Sequence, residues 1–234
     1  LSRHSQWPSD VLRVGGDGGD STLDETGYEE ASVTSSEITK TFSAAGQSKN
    51  VTVTNQVAMY ERNVDVPVLG EQRAAVFSAF ASPEVSVVGQ TFNPIKDYSN
   101  RELAELAQEQ YSSLSIGEEV GTRTVTVLEE TAEVSKFDGT ATFQGGQSVD
   151  VYVHVTKVKH DGDFVVAVAI YPQALDDEQQ HVDALLEGLE HAADSPDWPV
   201  RDSGAFARLF VDRPTPVAEA RLELYVPVPH KTRR

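Results

Sequence analysis

Residues 151–172 read VYVHVTKVKHDGDFVVAVAIYP, and their pattern decides the fold. Ahead of the turn, Val149, Val151, Val153 and Val155 alternate with Asp150, Tyr152, His154 and Thr156. That period of two sends the valines to one side of a strand and the polar residues to the other. Beyond the turn, DFVVAVAIYP is apolar at nearly every position, so both of its faces need cover. Asp161 and Gly162 supply the tight hairpin turn between the two strands. A strand of this kind is predicted at the centre of a sheet, with a packed layer above and another below.

One covering layer follows at once. In ALDDEQQHVDALLEGLEHAAD, residues 174–194, the apolar Val182, Leu185, Leu186 and Leu189 fall at helical spacing, and Asp176 and Asp177 stand where acids favour a helix start. A second helix is predicted in DYSNRELAELAQEQYSSL, residues 97–114. Leu103, Leu106, Ala107 and Leu114 form its apolar stripe, and Ser99 with Glu102 makes a capping box. The remaining body alternates in the manner of strands. ASVTSSEITKTF and NVTVTNQVAMY read as a hairpin with a longish turn, SAAGQSKN. EQRAAVFSAFASP and EVSVVGQTF follow, with a break at Pro83, and then GTRTVTVLEE and AEVSKFDGTATF. The reading is an α+β domain: a mostly antiparallel sheet of about seven strands sandwiched between two amphipathic helices.

That domain is placed at residues 23–193. Residues 1–22 read as a flexible N-terminal segment and acidic linker, the linker composition GGDGGDSTLDE running over residues 15–25 and too poor in apolar residues to fold. Residues 194–234 are Pro- and Arg-rich, and read either as a native extension in which ARLELYVPV adds at most an edge strand or as the product of a changed coding frame, since GC-rich frames readily yield Arg and Pro. No run of apolar residues is long enough for a membrane helix, and no targeting segment is visible. With no cysteine there is no disulfide framework, thiolate metal site or cysteine nucleophile.

Charge is unevenly spread. The chain carries 37 acidic and 19 basic residues, a net charge of −18. Residues 16–191 alone hold 30 acidic and 10 basic groups, a net of −20, because both ends are near neutral. Self-repulsion on that scale is severe where the Debye length is about 30 Å, in dilute buffer, and nearly absent where it is about 3 Å, at 1 M salt. Acids scattered through every segment therefore point to a salt-adapted surface rather than to one basic partner. Nucleic acid is excluded as a direct ligand, since no Lys/Arg stripe is present to neutralise phosphates.

Chemistry leaves few traces. His154 and His160 share strand parity but stand some 20 Å apart along an extended strand, too far for one metal. His154 is expected to be surface or half-buried, and His181 to lie on the exposed side of the last helix. No H-x-H, H-E-x-x-H or G-x-S-x-G pattern occurs. Asp17, Asp20, Asp24 and Glu25 do not have calcium-loop spacing. The pairs Glu118/Glu119, Glu129/Glu130 and Asp176/Asp177 are what so acidic a chain contains by chance. No catalytic residue, metal ligand or cofactor site is assigned. The polar cluster Lys96, Asp97, Tyr98 and Arg101, at the start of the first long helix, is the place where a dispersed enzyme site would be sought. Asn50, in Asn50-Val51-Thr52, is a glycosylation acceptor if the chain is exported.

Several stretches carry a resemblance: LDETGYEE, VTVTNQVAMYERNV, QRAAVFSAFASPEVSVVGQTFNPIKDYSNRELAE and VSKFDGTATFQGGQSVDVYVHVTKVKHDGDFVVAV. Through them the body, residues 23–191, resembles an uncharacterised family of haloarchaeal secreted proteins, many described as lipoproteins, which share only a domain of unknown function. The second half is also similar in layout to the PsbP-type α/β/α sandwich, a likeness that bears on fold alone. The first resemblance implies a cell-surface or extracellular setting and a lipid-modified Cys before the acidic linker. This chain has LSRHSQWPSDVLRV there instead, so membrane association would need a lipid anchor further upstream. The function expected is that of a non-catalytic, salt-adapted accessory or binding domain whose partner is an envelope protein or a small ligand.

Overall fold

The strand Asp163–Pro172 takes the middle place in a seven-stranded antiparallel sheet. A computed structural model describes residues 12–15, 20–44, 47–66, 70–87, 90–93, 95–110, 113–142 and 146–191. In chain order the elements are β1 (Leu12–Val14), α1 (Asp20–Thr26), β2 (Glu29–Ala44), β3 (Gln47–Val66), β4 (Gly70–Pro83), β5 (Val85–Val87), β6 (Gln90–Phe92), α2 (Asn100–Gln110), β7 (Leu114–Val127), β8 (Glu130–Thr142), β9 (Ser148–His160), β10 (Asp163–Pro172), α3 (Glu178–Glu187) and β11 (Leu189–His191). The large sheet runs β2-β3-β4-β10-β9-β8-β7, and two small sheets pair β1 with β11 and β5 with β6.

The double cover that β10 demands is present. On one face Phe164, Val166 and Ile170 join Val151, Val153 and Val155 of β9, closed over by Leu103 and Ala104 of α2 together with Ile95. On the other face Val165, Ala167, Ala169 and Tyr171 pack beneath Val182, Leu185 and Leu186 of α3, with Leu12, Val14 and Leu189 alongside. Each large side chain so buried contributes about 1.5–3 kcal/mol relative to exposure, so the sequence positions richest in apolar residues set the layer order. The β9–β10 turn forms as read: Asp161 (φ 49°) and Gly162 (φ 92°) both take the left-handed conformation of a two-residue hairpin. The capping box on α2 is also formed. Ser99 N–H donates to Glu102 Oε2 at 2.8 Å, and Glu102 N–H to Ser99 Oγ at 3.3 Å.

Four expectations change. The β2–β3 hairpin is tighter than SAAGQSKN suggested, since Ala44 pairs directly with Gln47. The last helix ends at Glu187, where Gly188 donates to the Ala184 carbonyl, and Leu189 is therefore a strand residue. Leu114 likewise opens β7 rather than closing α2. Finally, the segment read as flexible and linking carries β1 and the short helix α1. β1 holds because side chains take up its amides: Leu12 N–H donates to Gln56 Oε1 at 2.6 Å and Val14 N–H to Tyr60 Oη at 2.8 Å. Its other edge pairs with β11, and Leu12 and Val14 are buried in the core. The expected extension at 194–234 lies outside the described residues.

Candidate functional site

The polar groups that converge lie between α3 and the sheet, in a seam of two linked halves. In the first half His154 projects from β9 on the face that α3 covers. Arg123 of β7 stands 2.7 Å from its Nδ1, and Tyr171 Oη of β10 stands 2.9 Å from its Nε2. A guanidinium can only donate, so Nδ1 accepts, the proton sits on Nε2, and that N–H donates to the tyrosine oxygen. Arg123 also donates to Asp183 of α3, through Nε at 2.8 Å and through Nη2. Burial, with the positive charges of Arg123 and Lys136 nearby, pushes the His154 pKa down to about 3. Burial likewise raises the Tyr171 hydroxyl well above its ordinary range. The imidazole is thus neutral and fixed in one tautomer. This corrects the surface or half-buried position expected for His154: it is 1% exposed, because α3 and Arg123 close over the polar side of β9.

The second half centres on Glu178, a buried carboxylate in the first turn of α3. Tyr28 Oη donates to its Oε1 at 2.9 Å, and Arg62 of β3 pairs with its Oε2. Arg62 Nη1 also donates to His181 Nδ1 at 3.0 Å, so His181 is half-buried and engaged rather than on an exposed helix side. Gly27 makes this possible. With φ +70° it ends α1, its N–H donating to the Leu23 carbonyl at 2.7 Å, and turns the chain so that Tyr28 enters the core. Burial first, and then the Glu178 charge, hold the Tyr28 hydroxyl protonated far above its usual range. Lys136 spans the halves from β8, with Nζ 3.7 Å above the Tyr152 ring and 3.2 Å from Gln179 Oε1.

Chemically the seam is a clamp. Arginines from β3 and β7 and a lysine from β8 hold four polar residues of α3 (Glu178, Gln179, His181 and Asp183) onto the sheet. The groups answer one another, and no side chain among those named is left poised toward a substrate.

The cluster predicted at the start of α2 is spent on local structure. Lys96 and Asp97 are exposed and Tyr98 is half-buried. Their turn wraps Lys157 of β9, whose Nζ donates to the carbonyls of Ile95, Lys96 and Tyr98 at 3.1, 2.6 and 2.6 Å. Arg101 donates to the Gly117 carbonyl at 2.7 Å and lies 4.7 Å over the Phe137 ring. These four side chains do not converge. Asn50 lies on β3, where it pairs with Thr41. His160 meets a residue the pattern did not flag: its ring is edge-on to His191, centroids 5.7 Å apart, and His191 Nε2 lies 3.3 Å from Asp163 Oδ2. No group of three or more His, Asp or Glu able to hold a metal ion occurs among the described residues. Gly27, Glu29, Glu30, Ala31, Glu61 and Asn63 line a shallow depression of about 130 Å³.

The seam was missed by sequence reasoning because its members come from β3, β7, β8, β9, β10, α3 and the link between α1 and β2 that carries Tyr28, and only the fold brings them together. One signal was available: Glu178 and Gln179 stand on the stripe of the helix that its apolar spacing assigns to the core.

Among known families, residues 18–190 match a domain of unknown function, DUF6517. No curated protein matches the chain. No helix among the described residues is long and apolar enough to cross a membrane.

Proposed function

The chain belongs to the DUF6517 family, and from that premise we propose that it is a non-catalytic accessory or binding domain, secreted or at the cell surface, that works in molar salt. The observation that carries this reading is the segregation of charge. Among the described side chains, 18 Asp and Glu residues are exposed, against two bases, Lys96 and Lys159. The other described bases are half-buried and engaged. Arg13 pairs with Glu190, Arg62 with Glu178 and Arg123 with Asp183, while Arg101, Lys136 and Lys157 bind carbonyls, an amide or aromatic rings. Among the described side chains, then, most cations serve as ties and the surface turned to solvent is almost purely anionic. In dilute buffer such a surface repels itself, whereas molar salt screens it within about 3 Å.

The non-catalytic part of the reading is supported by the clamp under α3, whose titratable groups are committed to one another. The setting rests on the family resemblance: a haloarchaeal envelope or its exterior, with an envelope protein or a small ligand as partner. A retention experiment tests this. Full-length chain immobilised in 2 M KCl is exposed separately to solubilised envelope proteins and to cytosolic proteins of a haloarchaeon. The reading predicts a defined set of proteins retained from the envelope fraction alone. Equal retention from both fractions, or turnover of a substrate by the purified chain, contradicts it.

A further inference from the structure

The two edges of the large sheet are built differently. β7, at one end, carries two register shifts against β8, between Ile116 and Glu119 and between Glu119 and Gly121, and exposes Glu118 and Glu119 at them. Bulges and charges of this kind are how an edge strand is kept from pairing with another chain. β2, at the opposite end, is 16 residues long and shows one irregularity, between Glu30 and Ser32, near its start. From Ser32 to Ala44 it runs in unbroken register with β3 and contains no proline. The outer side of that run pairs with no other described strand.

The free run also projects. β3 pairs with β4 only from Gln56 onward, while β2 and β3 pair with each other as far as Ala44 and Gln47. Residues 35–44 and 47–55 therefore form a two-stranded arm beyond the sheet, roughly 30 Å long at about 3.3 Å per residue. Its charge breaks the rule of the body. Residues 35–55 contain one acid, Glu37, and two bases, Lys40 and Lys49, within a body of net −20. At the β7 edge, where Glu118 and Glu119 are exposed, a contact between two copies would instead bury carboxylates beside carboxylates. Taking unpaired charges out of water is costly even when salt screens their repulsion at a distance.

We propose that the outer edge of β2, over Ser32–Ala44, is a self-association site, at which two copies pair antiparallel, β2 to β2, across a twofold axis. Antiparallel pairing of identical edges is self-complementary, so one patch serves both copies and the assembly closes at two. Backbone amides and carbonyls supply the contacts, and the arm supplies a long acid-poor stretch on an edge of the sheet. A second copy is favoured over a foreign extended peptide because the edge and the charge relief come from the same segment, and a twofold axis uses each of them twice.

The test is sedimentation and hydrogen exchange on the full chain in 2 M KCl. The mass should rise on concentration from 25.5 kDa to twice that value. The amides of Ser32–Ala44 that face outward should exchange at least tenfold more slowly at concentrations where the doubled mass prevails. Thr39→Pro and Lys40→Pro separate the edge from the hairpin, since successive amides along a strand point to opposite sides. The proline at the outward position should abolish dimerisation and leave melting unchanged, while its neighbour should lower melting. A mass of 25.5 kDa at every concentration overturns the proposal. So does slow exchange of the outward amides in dilute monomer, which would place a segment of the same chain on that edge, and so does a dimer that neither proline weakens.

Discussion

The ring of His154 lies within 14° of parallel to that of Tyr171, with centroids 5.3 Å apart, and its Nε2 donates to the tyrosine oxygen across 2.9 Å. Arg123 holds the opposite nitrogen, so one imidazole joins a cation from β7 to a phenol from β10 beneath α3. Everything needed for that arrangement is buried or half-buried. The consequence is a histidine that serves as a neutral strut rather than as a proton carrier.

His154→Ala is therefore expected to cost about 3 kcal/mol, from the hole left behind and from the Arg123 donor and the Tyr171 acceptor oxygen left without their partner. The pH dependence follows from linkage. The folded pKa of about 3 lies below the ordinary 6.5, so below pH 6.5 the unfolded chain takes up a proton that the folded one refuses. The contribution is fully present above pH 6.5 and is lost progressively as pH falls toward 3, by about 5 kcal/mol at the limit. Urea denaturation in 2 M KCl from pH 8 to pH 4 measures it. A cost under 0.5 kcal/mol, with an acid limb identical in wild type and variant, contradicts the strut.

Glu178 should behave as one member of a buried set. Glu178→Ala strands Arg62 and the Tyr28 hydroxyl, and is expected to destabilise the fold by about 3–5 kcal/mol. Replacing the pair together, Arg62→Met with Glu178→Leu, should recover most of that loss, because the stranded charge is then gone. Thermal melts of both variants decide the matter, and additive costs would mean that the pairing is not the controlling contact.

How much of this was legible follows the range of each interaction. The β9–β10 hairpin, the capping box of Ser99 and Glu102 and the break at Pro83 depend on neighbours a few residues apart, and periodicity and turn chemistry expose such features directly. β1 was hidden for the opposite reason. Three residues carry no periodicity, and its amides are satisfied by Gln56 and Tyr60, more than forty positions away. His154 was misplaced because alternation marks it as polar, and polar was read as outward. Helix α3 makes that face a second interior, lined with partners that only the folded chain assembles.

The β7–β8 turn offers a stabilising change. Val127 pairs with Glu130, leaving Leu128 (φ 52°) and Glu129 (φ 65°) as a two-residue turn that holds two non-glycine residues in the left-handed region. Leu128 is buried in the core, whereas Glu129 is exposed, so only the first repays its backbone cost by packing. Glu129→Gly should raise stability by about 0.5–1 kcal/mol. An unchanged or lower melting temperature would show that the turn carries no such strain.

The central claim is that an anionic shell, with the cations folded inward, adapts this domain to salt. Circular dichroism melting of the full chain in KCl from 0.05 M to 2 M tests it most directly. The account predicts a cooperative transition at 2 M that moves steadily down as salt is removed, with native structure incomplete at 0.05 M. A melting temperature unchanged between 0.05 M and 2 M would contradict it.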